Sequence, residues 1–465
     1  MFPVAIILPN SEWNKKSESH MNRFFKQAKI GTFLNQANIR KECGISPLIL
    51  LQFIFALAFQ GKNLFRTLQS GRIQEAPCKD TVYRFLNKPT YNWRKFLTML
   101  SSFLIKTRLL PLTSQDRVRV LILDDSSYLR NRSKSVELLS RVHDHTTGRF
   151  VKGFRMLTLG WFDGGTFLPI AFSLQSSDKM KNRYQEMNQH IDKRTVGYHR
   201  RREATQKSTE TMFDLLDQLN PLQLRASTLL FDSWFAFPNV IKRVIRDYHL
   251  RVICMLKDMH RVYYSYNGKQ YRLGQLYKAI RKKRGRAKIL SSVIVGIGQD
   301  EDGNEVQAKI IFVRDRNRSK KWLAILSTDF DIPDEEIIRI YGKRWEIECF
   351  FKVTKSYLQL AKEFQCRSYD SLIAHTTIVF VRYMMLALSA REEKDPKTLG
   401  ELFFLCCDEL EDIRFAEAII MIMDLLSSEL SSELLSEKQV QNFLNTFIEQ
   451  LPLALKDSLL FKAAA

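Results

Sequence analysis

The chain has 465 residues, 45% of them hydrophobic and 11% aromatic, and carries a formal net charge of +22. That length holds two to four domains with a sizeable core, and the apolar content excludes a disordered chain. Seven cysteines without a CxxC pair, and eight histidines without zinc-ligand spacing to them, exclude a disulfide framework and a zinc module. No run nears the eighteen or so apolar residues that span a bilayer, and MFPVAIILPN lacks the basic start of a signal peptide, so the chain reads as intracellular. The charge points to a polyanion, most naturally nucleic acid. It is unevenly placed: residues 392–465 hold 15 acidic against 6 basic side chains, a net of −9, which leaves +31 on residues 1–391.

Residues 1–112 read as helical. SPLILLQFIFALAFQ is apolar enough for a core helix, and CKDTVYRFLNKPTYNWRKFLTMLSSFLI gives two more, with Asp80 at an N-cap and NKPTYN as the turn. Short helices with exposed Lys79, Arg84, Lys88 and Arg94 fit a helix-turn-helix type DNA reader.

From 113 to 250 the pattern is α/β. RVRVLILDDSS is a buried-strand run ending in Asp124 and Asp125, and GFRMLTLGWFDGGTFLPIAFSLQSS reads as two strands around DGG. A helix over TETMFDLLDQLN precedes a second buried strand, STLLFDSWF, which ends in Asp232, and PNVIKRVIRDYH is again helical. Over 251–328, apolar and polar residues alternate around YNG and DEDGNE turns, which predicts an inserted antiparallel β subdomain. Residues 329–391 return to helix, and the acidic segment 392–465 predicts two or three amphipathic helices.

Two features carry chemistry. Carboxylates at the ends of rigid buried strands sit where α/β sheets place reactive groups, and three of them on separate elements supply the oxygen ligands that hard divalent cations require. The other is IYGKRWEIECFFKVTKSYLQL. On one helix, Tyr341, Arg344, Glu348 and Lys355 project within roughly 60° of each other and form a polar ridge.

That ridge resembles the Tyr-(x2)-Arg-(x3)-Glu-(x6)-Lys signature of a large group of bacterial insertion-sequence transposases, matching all four residues and all three gaps. The resemblance covers roughly residues 115–390. It implies a ribonuclease H-like α/β catalytic core with a DDE triad, in which Asp125, Asp232 and Glu348 bind the metal. Asp125 is preferred to Asp124 because it directly precedes the hydroxyl pair, where that group usually has Asp-Thr. It further implies Mg²⁺, with Mn²⁺ substituting, and phosphate contacts from Tyr341, Arg344 and Lys355. Trp322 would stack on a DNA base. The partners implied are double-stranded DNA (the element's inverted repeats and the target) and a second protomer, in the bacterial cytoplasm at the nucleoid. The basic clusters 198–202, 281–288 and 314–321 suit sequence-independent phosphate contact. A metal-dependent nuclease without strand transfer, and a silent DNA-binding relative, are the competing readings.

Overall fold

The computed structural model describes residues 19–433 except 70–75, 145–146, 220–223, 284–286, 316–320 and 393–396, together with a few positions between 439 and 447. The apolar run at 120–123 opens β1 (Val120–Leu129), and its first five residues are buried, as expected for a strand covered on both faces. β2 (Ser140–Asp144), β3 (Arg149–Phe162) and β4 (Phe167–Gln175) follow in antiparallel pairing. The DGG turn joins the last two. Gly164 there adopts φ +88°, and the Asp163 carboxylate accepts the N–H groups of Gly165 and Thr166 at 2.9 and 2.8 Å.

Helices α7 (Val196–Glu203) and α8 (Ser208–Leu216) lead to β5 (Thr228–Phe231), and α9 (Pro238–Tyr248) leads to β6 (Arg251–Leu256). β1, β5 and β6 are parallel neighbours, while β3 runs antiparallel to β1. The order β4-β3-β1-β5-β6 is consistent with a ribonuclease H-like domain.

The segment expected as a separate β subdomain joins this same sheet. β6 lies inside the core order, and its free edge takes β11 (Trp322–Ser327), followed by β10 (Glu305–Arg314), β9 (Ile289–Gln299), β7 (Tyr264–Tyr266) and β8 (Lys269–Tyr271). A boundary at 250 would therefore cut through hydrogen-bonded strands. Alternation in sequence predicts strands but does not say which edge they will extend. Between β8 and β9 lies α10 (Leu273–Ala279).

The helices after the sheet are α11 (Asp334–Gly342), α12 (Trp345–Ser356), α13 (Tyr369–Glu392) and α14 (Leu399–Glu433). Phe350 of α12 and Phe380 of α13 pack on Phe167 and Phe172 of β4. On the opposite face the Trp161 indole donates to the Leu224 carbonyl, and α8 reaches Gln175 through Thr211. α13 is long and apolar enough to cross a membrane, but its apolar window is wholly buried inside the protein.

The first six helices do not form an independent unit. They are α1 (His20–Gln27), α2 (Ile30–Gln36), α3 (Pro47–Ala56), α4 (Leu64–Gln69), α5 (Lys79–Leu86) and α6 (Trp93–Leu104). Of these, α1, α3, α5 and α6 pack on α13, and Ser101 of α6 donates to the Pro169 carbonyl of β4 at 2.9 Å. Arg94, expected in solvent, grips Glu203 through two 2.5 Å bonds and the Phe172 carbonyl at 3.1 Å. Asp80 lies in the first turn of α5 and the N-cap is Cys78, so its carboxylate faces the positive end of the helix instead of capping it.

Arg382 of α13 ties these parts together. Fully buried, it donates to the carbonyls of Ile54 and Phe55 on α3 at 2.6 and 3.0 Å, to Leu358 at 3.1 Å, and to the Glu363 carboxylate at 2.7 and 2.9 Å. Arg382→Ala would remove five bonds from a buried network and leave the Glu363 carboxylate with His375 and the Ile54 carbonyl with the Leu57 N–H. We expect a loss of about 3–5 kcal/mol in urea unfolding; a loss below about 1 kcal/mol would show that the network does not hold the helices together.

Candidate active site

β5 ends at Phe231, and its parallel pairing with β1 covers only Val120 to Ile122 on the β1 side. β1 runs on to Leu129 beside β3. Asp124 and Asp125 therefore lie within a strand and not at its tip, but the neighbouring strand has stopped beside them. Asp232 follows directly where β5 ends. The notch so formed opens into a cleft of about 480 Å³ lined by Asp124, Asp125, Asp232, Arg344, Glu348 and Lys355, with His143, Asp144, Arg155 and Trp234.

The ridge is not one continuous helix. α11 closes at Gly342 and α12 opens at Trp345, joined by i→i+3 bonds such as Arg344 N–H to the Tyr341 carbonyl at 3.0 Å. These tighter turns rotate the chain further per residue. Arg344 thus caps the start of α12, Glu348 sits in its first turn and Lys355 in its last. All three reach the cleft. Tyr341 does not line it: it is buried behind Arg344, whose guanidinium lies 5.9 Å from the ring centroid, and burial pushes its phenol up to about 12.

Neighbouring strand residues point to opposite faces, so the two aspartates of β1 have different partners. Asp124 is buried, accepts from Arg344, and also accepts the Asp125 N–H at 2.8 Å. Two residues on, Ser126 accepts from the Lys355 ammonium at 2.7 Å. Asp125 pairs with Arg155 from β3. Arg344 also lies 3.8 Å from Glu348, so one guanidinium meets both Asp124 and Glu348, with Asp232 adding to its electrostatic surroundings.

Desolvation pushes the Asp124 carboxyl up to about 7, with Asp125 and Glu348 adding to the rise and Arg344 opposing it. Burial pulls Lys355 below the ordinary lysine range, against Asp144 and Glu348.

Trp322 is placed elsewhere. Its ring stacks on Tyr277 at 4.6 Å and meets Phe312 edge-on at 5.2 Å, and the described residues lining the cleft do not include it. The basic cluster at 198–202 is largely structural. Arg201 is buried between Glu137 and Asp370, at 2.5 and 2.8 Å, and Arg200 is held by Asp370 and the carbonyls of Pro89 and Tyr91. Parts of the other two clusters, 284–286 and 316–320, lie outside the described residues.

Sequence reading passed over Arg155, Trp234, His143 and Asp144. Arg155 had a signal: it is the single charge in the apolar run GFRMLTLGWF, and a charge inside a buried strand calls for a partner.

The donor set fits a hard divalent cation. It is all oxygen, with Asp124, Asp125, Asp232 and Glu348 lining one cleft. As arranged, Asp124 and Glu348 lie toward Arg344 and Asp125 toward Arg155, and among the described residues no three His, Cys, Asp or Glu side chains stand close enough together to hold an ion. An ion would take the place of the guanidinium at Asp124.

Residues 57–291, just over half of the chain, match the family model described as DDE superfamily endonuclease. No curated protein matches the chain.

The Asp124 carboxyl binds its proton more tightly folded than unfolded. Stability should therefore fall as pH rises from about 4 to about 7, the interval between its ordinary and its folded value. Asp124→Asn should flatten that slope in urea midpoints taken across the interval; an unchanged slope would remove the assignment.

Proposed function

The chain belongs to the DDE superfamily endonucleases, and on that premise we propose that it is a transposase that binds the inverted repeats of its own mobile element, cuts at the element ends and joins them to target DNA. As a family member it is a metal-dependent nuclease-type enzyme with DNA as substrate. One observation carries the finer reading: Arg344, Glu348 and Lys355, three of the four signature residues, enter the same cleft as two strand aspartates.

Asp124, Asp232 and Glu348 are the proposed metal ligands. Asp124 replaces Asp125 because Arg344 links it to Glu348, with Asp232 lining the same cleft, whereas Asp125 is engaged by Arg155. Two divalent cations, Mg²⁺ or Mn²⁺, would supply Lewis acidity and a water ionisable near neutral pH. Arg344, released from Asp124, is placed to grip a non-bridging phosphate oxygen, and Lys355, fixed by Ser126, adds a point charge beside it. Tyr341 packs behind Arg344 and sets its position. In the first reaction a water oxygen bonds to phosphorus as the P–O3′ bond breaks, which leaves a 3′-hydroxyl on the element. In the second, that hydroxyl oxygen bonds to a target phosphorus as the P–O3′ bond there breaks. Bringing two ends together calls for at least two protomers.

The test uses labelled linear DNA carrying the neighbouring inverted repeat, with Mg²⁺ or Mn²⁺. Glu348→Gln and Asp232→Asn should lower cleavage at the repeat boundary by roughly a hundredfold or more while binding persists. Asp124→Asn should fall as far and Asp125→Asn less; the reverse order would return the ligand role to Asp125. Cleaved products without joined ones would leave a nuclease, and binding without cleavage in wild type a silent DNA-binding protein.

A further inference from the structure

β1 grips the far end of α12 at two points. Within the strand, Ser126 accepts from the Lys355 ammonium at 2.7 Å. Directly after it comes Arg130, whose backbone N–H donates to the Lys152 carbonyl of β3 at 2.8 Å. The Arg130 guanidinium donates to the carbonyls of Ala361 and Cys366 at 3.0 Å and to that of Phe364 at 3.4 Å. All three carbonyls lie on the connection between α12 and α13. Arginine suits this place, because its planar fork presents several donors in a fixed geometry. Arg130 itself does not line the cleft.

The connection has an uncommon backbone. Gln359 and Ala361 both stand in the left-handed region, at φ 59° and 64°. Residues with a Cβ rarely adopt that conformation, and it persists where the surroundings impose it. The turn closes back on α12: the Leu360 N–H donates to the Thr354 carbonyl at 3.0 Å and the Lys362 ammonium to the Lys355 carbonyl at 2.9 Å. Both acceptors are in the last turn of α12, so what holds the connection also holds the backbone of Lys355. A lysine charge rides on a long flexible stem, and its bond to Ser126 aims that charge only while the backbone beneath it is fixed. We propose that Arg130 is a positioning residue, which clamps the connection after α12 to the end of β1 and thereby holds the Lys355 ammonium where a phosphate is bound. The clamp rests on the reading of Lys355 as a phosphate contact and adds what keeps it in place.

The test reads binding and not cutting. The full chain carrying Glu348→Gln is titrated with the labelled inverted-repeat DNA over a range of salt concentrations. Adding Lys355→Ala should reduce the slope of log affinity against log salt by about one. Arg130→Ala should take away most of that same amount, and the double variant no more than Lys355→Ala does by itself. Hydrogen exchange without DNA reads the clamp directly: the Leu360 amide should exchange roughly tenfold faster, or more, in Arg130→Ala. Arg130→Lys keeps the charge but not the fork, and guards against an alanine variant that does not fold; both changes should appear in it to a smaller extent. Unchanged Leu360 exchange in the folded Arg130 variants would overturn the clamp. Faster exchange with an unaltered salt slope would leave Arg130 a purely structural residue, and a second fall of the slope in the double variant would make it a phosphate contact in its own right; either result overturns the proposal. If Lys355→Ala lowers the slope and the Arg130 variants do not, the inference falls and the reading of Lys355 stands. If Lys355→Ala leaves the slope unchanged, the phosphate role of Lys355 falls and the positioning role falls with it.

Discussion

The parallel pairing of β1 with β5 is brief, and the cleft exists because β5 stops at Phe231 while β1 continues for several residues along β3. One strand end thereby exposes an edge of β1 inside an otherwise continuous sheet and delivers Asp232 to that edge. The pleat then sends Asp124 and Asp125 to opposite faces. Each meets one arginine, Arg344 from the helical side and Arg155 from β3. A pair of adjacent acids that would repel each other on a loop is kept apart here by backbone geometry, with a counter-charge on either side.

The same economy of charge recurs away from the cleft. Arg94, Arg201 and Arg382 are drawn inward by Glu203, Glu137 with Asp370, and Glu363. A buried ion pair contributes little net stability but is costly to break, so these residues fix how helices dock instead of coating a polyanion-binding surface. The positive charge available to DNA is accordingly smaller than the composition suggests, and it is carried by residues outside these pairs.

What could be read from sequence follows from how local each signal is. The β1 and β5 runs, the DGG turn and the spacing of Arg344, Glu348 and Lys355 are each set by a few adjacent residues, and all appear where the pattern puts them. The proposed choice of Asp124 over Asp125 rests on which arginine each meets, Arg344 or Arg155, and these contacts join segments far apart in the chain. Arg200 and Arg201 look like a solvated run because their carboxylate partners are 60 to 170 residues away. The break between α11 and α12 at Lys343 and Arg344 follows directly on Gly342, a local signal that the apolar periodicity overrode. Trp322 packs on Tyr277 and Phe312, contacts that the local alternation of its strand does not reveal.

The bonds from Arg382 to Phe55 and Ile54 span 327 and 328 residues. On a ribosome adding about 5–20 residues per second, α3 waits roughly 16–65 s for the helix it packs against. Throughout that interval its side chains have only the part of their native cover that α1, α2 and α5 supply. The nascent chain therefore passes through a long stage in which the amino-terminal helices can pack on one another but the face that meets α13 stays open, and that face is among the last to close.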